Sequence, residues 1–390
     1  MLNARQPFPR DFIKSLAVLV VVEFVRGAFL ISFLPIYATN QLHISISMVG
    51  IAVTAHYLTD TAVKIAIGYL LDRFSSRVVV QIGLLISLSG LLGVLFSQQG
   101  WLLILSSATF GVGISPIWLV CLSKVKEEER ATQMGLLYSF WLAGMGAGPV
   151  LMNFLIDQSY TLSFWMLIVL WIAGGLLSFQ ISNETISKPD VVSVKKQFQL
   201  LWQNLKRMRP LLPGMVLQTA AAGMLVPILP QFATRHLGLT YSQYSYLLML
   251  GGAGAVIGLI PMGKLSDTFG KKWFFVLGFG IFSIALYSLT FVSTVYSSMA
   301  WALVLGISYA AVLPAWNALM SYYVPSGQEG LGWGVLSSVE GIGVIIGPIL
   351  GGWIAQWFND IVTVWVSAGL LGCIALFYLF FPFQRLQGEE

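Results

Sequence analysis

The chain has 390 residues, of which 57% are hydrophobic and only 9% are charged, and its formal net charge is +5. Soluble globular domains carry about 25% charged residues, so this composition excludes a soluble protein and indicates one that crosses a membrane several times. Cys121 and Cys373 both fall within apolar segments, so we expect neither a disulfide framework nor a metal site. The positive charge comes from lysines and arginines in loops and does not indicate a nucleic-acid partner.

In chain order, twelve apolar runs of about 20 residues predict an all-α membrane protein with 12 transmembrane helices. The first run is too long for the core of a signal peptide and lacks a small-residue cleavage site, so we expect it to remain as the first span. The expected bounds are 12–38, 48–71, 77–97, 101–123, 132–155, 163–181, 211–232, 243–266, 273–293, 297–322, 332–357 and 362–383.

The longest polar stretch of the chain separates the sixth run from the seventh. It covers residues 182–210 and is rich in lysine and arginine. We therefore expect an N-terminal six-helix bundle at 1–181, a cytoplasmic linker at 182–210 and a C-terminal six-helix bundle at 211–390.

The lysines and arginines also predict the orientation, because cytoplasmic loops carry an excess of these residues. If the N-terminus is cytoplasmic, all of them lie in cytoplasmic segments or at the adjoining helix ends, except three. Arg26 and Lys64 lie within spans, and only Arg235 faces outward. Both termini are therefore expected in the cytoplasm.

Four motifs of the first half recur in the second half, in the same order and at offsets of 195 to 199 residues. Parallel repeats of six spans are the architecture of major facilitator transporters, which bind substrate near the bilayer midplane between the two halves. The sequence therefore resembles that superfamily. The paired motifs are 34–39 with 229–234, 68–77 with 263–272, 116–118 with 314–316, and 135–149 with 334–348.

The loops after spans 2 and 8 resemble the GxLaDrxGrk signature of this superfamily. The match is complete in the second half, whereas Ser75 replaces a glycine in the first. A basic turn with one aspartate can hold neighbouring helix ends together and release them, while a simple positive-inside anchor would not explain the spacing of Gly and Asp. The candidate gating residues are Gly68, Asp72, Arg73, Gly263, Asp267 and Lys271.

A glycine–proline motif in spans 5 and 11 resembles the span-5 signature of proton-coupled antiporters. Glycines at this spacing let helices pack closely, and the proline adds a bend, so a tightly packed hinge explains the same residues. The match is complete in span 11, where Gly351 and Gly352 end it, but span 5 has Met152 and Asn153 there.

Glu23 and Arg26 lie in the middle of the first span. An ionisable group at the bilayer midplane costs several kcal/mol and is a functional-site hypothesis by default. Three residues apart, the two side chains share a helix face, so they can contact one ligand. The simpler alternative is a buried pair that only neutralises itself.

Span 2 carries a polar stripe of His56, Asp60 and Lys64 at successive four-residue intervals. At the midplane, burial and neighbouring cations act on a carboxylate in opposite directions, which can bring proton binding into the working range. Asp60 is therefore our candidate for proton coupling, with Glu23 second. A permanent Asp60–Lys64 salt bridge would pass the role to Glu23. His56 is either a proton relay or a hydrogen-bonding helix contact.

The repeat indicates that the two halves differ in chemistry. The counterparts of Glu23, Arg26 and the span-2 stripe are all neutral in the second half, so a cavity polar on one side and apolar on the other would suit an amphiphile. Glu340 in span 11 is the exception, either as a second coupling site or as a group neutralised by an unidentified neighbour. The neutral counterparts are Gln218, Ala221, Gly251, Ala255 and Leu259.

Trp118 and Trp141 lie within spans 4 and 5, away from the interfacial belts where aromatic residues usually anchor a membrane protein. An indole offers a flat apolar face and one donor, which suits stacking against a sugar ring. Core packing is the alternative for both.

Five motifs together resemble the lipoteichoic-acid glycolipid flippases of Gram-positive bacteria, and the likeness runs through both halves. Each motif alone is weak, but the combination is fairly specific. The motifs are Glu23-Phe24-x-Arg26-Gly27, His56-x-x-x-Asp60, Ser115-Pro116-Ile117-Trp118, Gln133-Met134-Gly135 with Trp141, and Leu313-Pro314-Ala315-Trp316-Asn317.

This resemblance implies a proton-coupled antiporter that moves a diglucosyl-diacylglycerol anchor from the inner to the outer leaflet. In that family a Glu and an Arg of span 1 and Trp residues of spans 4 and 5 bind the headgroup, matching Glu23, Arg26, Trp118 and Trp141. A span-2 aspartate implicated in coupling matches Asp60. Lys64 and Glu340 are not part of the family pattern.

We therefore expect a multi-pass, monomeric transporter of the cell membrane that is not an enzyme. Its partners would be the glycolipid, protons and membrane lipids, with the proton gradient as energy source and no cofactor. A proton-coupled multidrug efflux antiporter is the nearest alternative, since the glycine motifs fit it equally well. A membrane-embedded enzyme acting on lipid and a non-transporting receptor are more distant alternatives.

Overall fold

The computed structural model describes residues 10–125, 130–183, 206, 209, 211–321 and 329–381. The chain divides into two compact units, Met1–Pro189 and Asp190–Glu390. Most of the expected linker at 182–210 lies outside the described residues. Within the described residues the chain consists of helices and the turns that join them.

We number twelve helical elements in chain order. The first unit contains α1 (Arg10–Asn40), α2 (Ile46–Arg73), α3 (Ser76–Phe96), α4 (Gly100–Ser123), α5 (Arg130–Ile156) and α6 (Tyr160–Gln180). The second contains α7 (Leu212–Leu225 and Leu229–His236), α8 (Tyr241–Phe269), α9 (Lys271–Leu289), α10 (Val295–Ser321), α11 (Glu329–Trp357) and α12 (Asp360–Phe380).

The prediction of an all-α membrane protein is confirmed. Among the described residues, 10 helices are long and apolar enough to cross a membrane, and α7, which bends by 51° at its break, is an eleventh candidate. The remaining helix, α2, is 28 residues long. Its polar stripe of His56, Asp60 and Lys64 lowers its mean hydropathy, which is why α2 is not among the helices apolar enough to count as spans.

The two units share one pattern of helix packing. In the first, α1 packs on α5 and α6, α2 packs on α4, and α3 packs on α4 and α6. In the second, α7 packs on α11 and α12, α8 packs on α10, and α9 packs on α10 and α12. Each of these helix pairs in the first unit therefore has its counterpart six helices later, as the sequence repeat predicts.

The glycine–proline motif brings two helix backbones into contact in each unit. A side chain at Gly144 or Gly148 of α5 would collide with main-chain atoms of α1, including the carbonyl oxygen of Phe24. Gly343 and Gly347 of α11 lie in the same way against α7. The motif therefore acts in helix packing in both units, whatever else it does in transport.

Two glycines of α5 allow a direct test of this packing. We expect Gly148→Ala to destabilise the protein by roughly 1–3 kcal/mol, the usual cost of overpacking, because the new methyl group meets the α1 backbone. Gly146, two residues away, is exposed and has no atom within 4 Å of an added Cβ. Gly146→Ala should be neutral or stabilising, since alanine favours helix over glycine. Thermal unfolding midpoints compare the two, and equal midpoints would contradict the packing role.

Candidate functional site

Arg26 lies at the centre of a buried ionic cluster in the first unit. Its Nη1 donates to Glu23 Oε1 at 3.4 Å, its Nη2 to Asp60 Oδ2 at 3.1 Å, and its Nε to His56 Nε2 at 3.2 Å. All four side chains are buried. The expected Glu23–Arg26 pair is thus present, and Arg26 also links α1 to α2.

The local structure of α1 places this cluster. Glu23 and Arg26 lie one turn apart, and at Gly27 the helix touches the Met145 backbone of α5. A π-helical segment, Ala28–Phe33, begins at the next residue. Such segments are rare in helices and are frequent at functional sites.

Asp60 has partners on three helices. Besides Arg26, Lys64 Nζ lies 3.5 Å from Oδ2. The hydroxyl of Ser115 lies 2.5 Å from Oδ1 and 2.6 Å from the main-chain oxygen of Asp60. The Asp60–Lys64 salt bridge considered above is therefore present, but Arg26 shares the same oxygen. With Glu23 included, two carboxylates meet two cations, and the cluster is neutral overall.

His56 contributes a hydrogen bond and packing. Because its Nε2 accepts from Arg26, the imidazole is neutral and carries its proton on Nδ1. Its ring contacts Phe110 and Tyr57, with centroids 5.3 and 5.4 Å apart, and Arg26 lies 5.3 Å from the Tyr57 ring centroid. This geometry favours the helix-contact role, since a relay through Nε2 would first require Arg26 to move away.

The two expected headgroup tryptophans lie together. The rings of Trp118 and Trp141 are 6.5 Å apart in an edge-to-face arrangement, and Tyr138 lies 5.6 Å from Trp118. Trp118 lies one helical turn after Ser115 on α4. Trp141 lies one helical turn before Gly144 on α5, and Gly144 packs against α1 at Glu23. Both indoles are partly exposed, and each lies one helical turn along its own helix from a residue that contacts the ionic cluster.

For three residues of this site, Ser115, Tyr138 and Tyr57, the sequence alone does not predict a functional role. Ser115 is part of the Ser-Pro-Ile-Trp motif and opens the second half of α4. Tyr138 precedes Trp141 by three residues, which places both on one face of α5. Tyr57 has no comparable signal beyond its position next to His56.

Glu340 lies in a separate polar cluster of the second unit. Its Oε1 accepts hydrogen bonds from Trp316 Nε1 at 3.0 Å and from Gln218 Nε2 at 3.4 Å. By the repeat, Gln218 and Trp316 correspond to Glu23 and Trp118 of the first unit. The unidentified neighbours of Glu340 are thus two neutral donors.

The candidate gating residues lie at helix ends. Gly68 is in the last turns of α2, and Arg73 at its end lies 4.1 Å from the ring centroid of Tyr69. The side chain of Asp72 lies outside the described residues. In the second unit the candidate gating residues are placed similarly. Gly263 and Asp267 lie towards the end of α8, and Lys271 lies at the start of α9.

The difference between the two loops has a local explanation. Gly270 has a φ of 90°, a conformation that favours glycine, and it joins α8 to α9. At Ser75 the backbone is extended with a φ of −63°, and the side chain accepts a hydrogen bond from Val78 N to cap α3. The first loop therefore turns through an N-cap serine and does not need the glycine.

The comparisons with known proteins agree with this architecture. Residues 16–217 and 211–388 match the profile of the Major Facilitator Superfamily. The proton-coupled antiporter flippase LtaA of Staphylococcus aureus is 32% identical over 375 residues, which cover 95% of this chain and 94% of the relative. The LtaA flippase of Staphylococcus epidermidis is 33% identical over the same shares. The chain belongs to the major facilitator superfamily, in the family of the LtaA flippases.

Solved structures support the fold. The nucleoside transporter NupG superposes with a TM-score of 0.78 at 14% identity, over 95% of this chain and 98% of its own. A bacterial homologue of the human lysosomal transporter Spinster, in an inward-facing and unoccupied conformation, superposes with a TM-score of 0.74 at 14% identity, over 94% of this chain and 95% of its own. The predicted superfamily and the resemblance to the flippases are confirmed, and the chain is a multi-pass protein of the cell membrane whose relatives are transporters.

Proposed function

We propose that this chain is a proton-coupled antiporter that flips the glycolipid anchor of lipoteichoic acid from the inner to the outer leaflet by alternating access. Its relatives are named for proton coupling, antiport and flipping, and the likeness covers 95% of the chain. The observation that carries the proposal is Arg26, shared between the Glu23 and Asp60 carboxylates and close to two partly exposed indoles.

The proposed topology has 12 spans with both termini in the cytoplasm. Ten helices and the bent α7 meet the length and hydropathy expected of a span, and α2 is long enough to be the twelfth. The excess of lysine and arginine in the loops on one side supports the orientation. We propose that residues 1–181 provide the polar surface, 182–210 the linker, and 211–390 the mainly apolar surface.

The ionic and aromatic clusters have the chemistry to bind a sugar headgroup. A carboxylate accepts from sugar hydroxyls, a guanidinium donates to them, and an indole stacks against the apolar face of the ring. Glu23, Arg26, Trp118 and Trp141 together supply all three. A headgroup bound there leaves the acyl chains to apolar surfaces, and we infer that the protein acts as a monomer with no cofactor.

Coupling follows from the partners of Asp60. Ionised Asp60 holds Arg26 at the headgroup site, and a proton on Asp60 removes the charge that holds it there, so the headgroup loses a partner. Proton and substrate therefore oppose each other's binding, which is the requirement for antiport. Glu23 is the second candidate for the proton, and His56 takes part through its hydrogen bond to Arg26.

The basic turns after α2 and α8 are the proposed gates. They would hold helix ends together in one conformation and release them in the other. The residues concerned are Gly68, Asp72, Arg73, Gly263, Asp267 and Lys271.

Reconstitution tests the function directly. Purified protein in liposomes should translocate a fluorescently labelled diglucosyl-diacylglycerol, and an imposed pH gradient should accelerate it. The matched assay is efflux of cationic dyes from cells that produce the protein, because the glycine–proline motif also fits a multidrug antiporter. Dye efflux without glycolipid translocation would overturn the proposal, as would absence of any translocation.

Replacing either tryptophan tests the headgroup site. We expect Trp118→Ala and Trp141→Ala each to weaken glycolipid binding roughly two- to tenfold, the equivalent of about 0.5–1.5 kcal/mol for one lost aromatic contact. Trp165→Ala is the control, since Trp165 is half exposed on α6 and is not part of the cluster. Titration of the purified variants with a soluble glycolipid analogue measures the affinities. Normal binding by both variants would assign the two indoles to packing.

A further inference from the structure

Glu340 lies deep in a membrane-spanning helix. It is 11 residues from the start of α11 at Glu329 and 17 from its end at Trp357, or about 16 and 25 Å at 1.5 Å per residue. The side chain is partly buried, and Thr219 Oγ1 donates to its main-chain oxygen at 2.8 Å. The carboxyl group is therefore held in place at a depth where a lone charge costs several kcal/mol.

No cation offsets this carboxylate among the described residues. In that part of the chain, ion pairs are found at Asp11, Glu23 and Asp60, but not at Glu340. Its two side-chain hydrogen bonds come from neutral donors, the indole of Trp316 and the amide of Gln218. In the part of the chain that the structure describes, the two units therefore differ, because Glu23 and Asp60 each meet a cation and Glu340 does not.

The surroundings of Glu340 contain few titratable groups. Along α7, which packs against α11, residues 212–225 include none. Two phenols lie in these surroundings, Tyr309 on α10, which interacts electrostatically with Glu340, and Tyr378 on α12, whose ring centroid lies 6.3 Å from that of Trp316. Asp360 is the first residue of α12 and follows closely after Trp357, the last residue of α11. None of the described residues of these helices forms an ion pair with Glu340.

We propose that Glu340 is a second proton-binding site, located in the C-terminal unit. The inference rests on the proposed proton-coupled antiport and adds a site that the flippase resemblance does not contain. Without a cation, the proton is the ligand that makes the carboxyl group neutral within the membrane. In the ionic cluster of the first unit, by contrast, Arg26 and Lys64 already compensate the two carboxylates.

The partners of Glu340 suit both protonation states. The Gln218 side chain has a donor NH₂ and an acceptor carbonyl, so after rotation it can accept a hydrogen bond from the protonated acid. Trp316 donates only, and its ring is buried against Phe275 and Tyr378, which fixes the position of the indole N–H. One fixed donor and one reversible partner are the groups required around a carboxyl that gains and loses a proton.

Infrared difference spectroscopy on the purified protein in lipid tests the proposal without requiring transport. Wild-type protein moved from mildly alkaline to mildly acidic buffer should gain a carboxylic-acid C=O band that E340Q lacks. Asp360→Asn is the matched control, a carboxyl of the same unit at a helix end, and should keep the band. Glu340→Asp should retain a band at a shifted frequency, which guards against a fold defect in E340Q. Thermal unfolding of each variant checks folding.

The outcomes separate this inference from the proposed function. A band that persists in full in E340Q, or that disappears only in Asp60→Asn, overturns the Glu340 site. A band lost only in E340Q supports the site even where the liposome assay finds no glycolipid flipping, in which case the proposed function fails alone. If both hold, E340Q in liposomes should lose at least half of the acceleration produced by a pH gradient and keep flipping without a gradient.

Discussion

Arg26→Gln is expected to destabilise the protein by about 3–5 kcal/mol, the usual cost of removing one partner of a buried ion pair. The substitution removes hydrogen bonds to Glu23, Asp60 and His56, and among the described residues it leaves Lys64 as the one cation paired with these buried carboxylates. The thermal unfolding midpoint in a fixed detergent or lipid measures the loss. Pairing the change with Glu23→Gln removes one orphaned charge and should recover a substantial part of the stability.

The matched control lies on the same helix. Lys14 pairs with Asp11 at 3.8 Å, and both side chains are more than 40% exposed. Surface ion pairs contribute about 0–1 kcal/mol, so Lys14→Gln should barely move the midpoint. A small effect of Arg26→Gln, similar to that of Lys14→Gln, would mean that Arg26 does not hold the cluster together.

Asp60→Asn is expected to abolish the stimulation of flipping by a pH gradient. Asparagine has nearly the same shape and still accepts from Ser115 and Arg26, but it cannot take up a proton. The protein should therefore be produced at normal levels and should flip glycolipid at its gradient-free rate whether or not a gradient is imposed. Flipping of a labelled glycolipid in liposomes with and without the gradient measures the ratio.

Asp11→Asn is the control for this change, because Asp11 is exposed at the start of α1. It should keep the full stimulation. If Asp60→Asn also keeps it, the proton is carried elsewhere, and Glu23→Gln and E340Q tested in the same assay identify the carrier. A variant that loses flipping both with and without a gradient would instead place Asp60 in substrate binding or folding.

Much of the fold could be predicted from the sequence because membrane spans depend on local composition. The helical spans and the repeat of six helices follow from hydropathy and recurring motifs. The cost of a charge in the bilayer also identifies Glu23, Arg26 and Asp60 as site candidates without any structure. Each of these inferences uses information within one helix or one repeat.

The contacts between helices could not be predicted in the same way. Helical spacing places Asp60 and Lys64 on one face of α2, but it does not say that this face turns towards α1. Arg26 and Asp60 are 34 residues apart, and their 3.1 Å contact depends on how the two helices are rotated. The same holds for Ser115, which reaches Asp60 from a third helix.

The sequence identifies the partners of Glu340 as notable positions but does not predict that they contact it. Gln218 lies 122 residues away and is one of the neutral counterparts that the repeat assigns to the charged residues of the first half. The repeat shows that Gln218 and Trp316 occupy the positions of Glu23 and Trp118, but their contacts with Glu340 depend on how the helices of the second unit pack.

The position of Ser115 has a consequence for how quickly Asp60 can change its protonation state. Its hydroxyl lies 2.5 Å from the carboxylate and 2.6 Å from the main-chain oxygen of the same residue. A hydroxyl has one hydrogen and two lone pairs, so it can donate to the ionised carboxylate, or accept from the protonated acid while donating to the main-chain oxygen. Rotation of one hydrogen therefore keeps Asp60 hydrogen-bonded in both states, and the residue can exchange a proton without rearrangement of the helices around it.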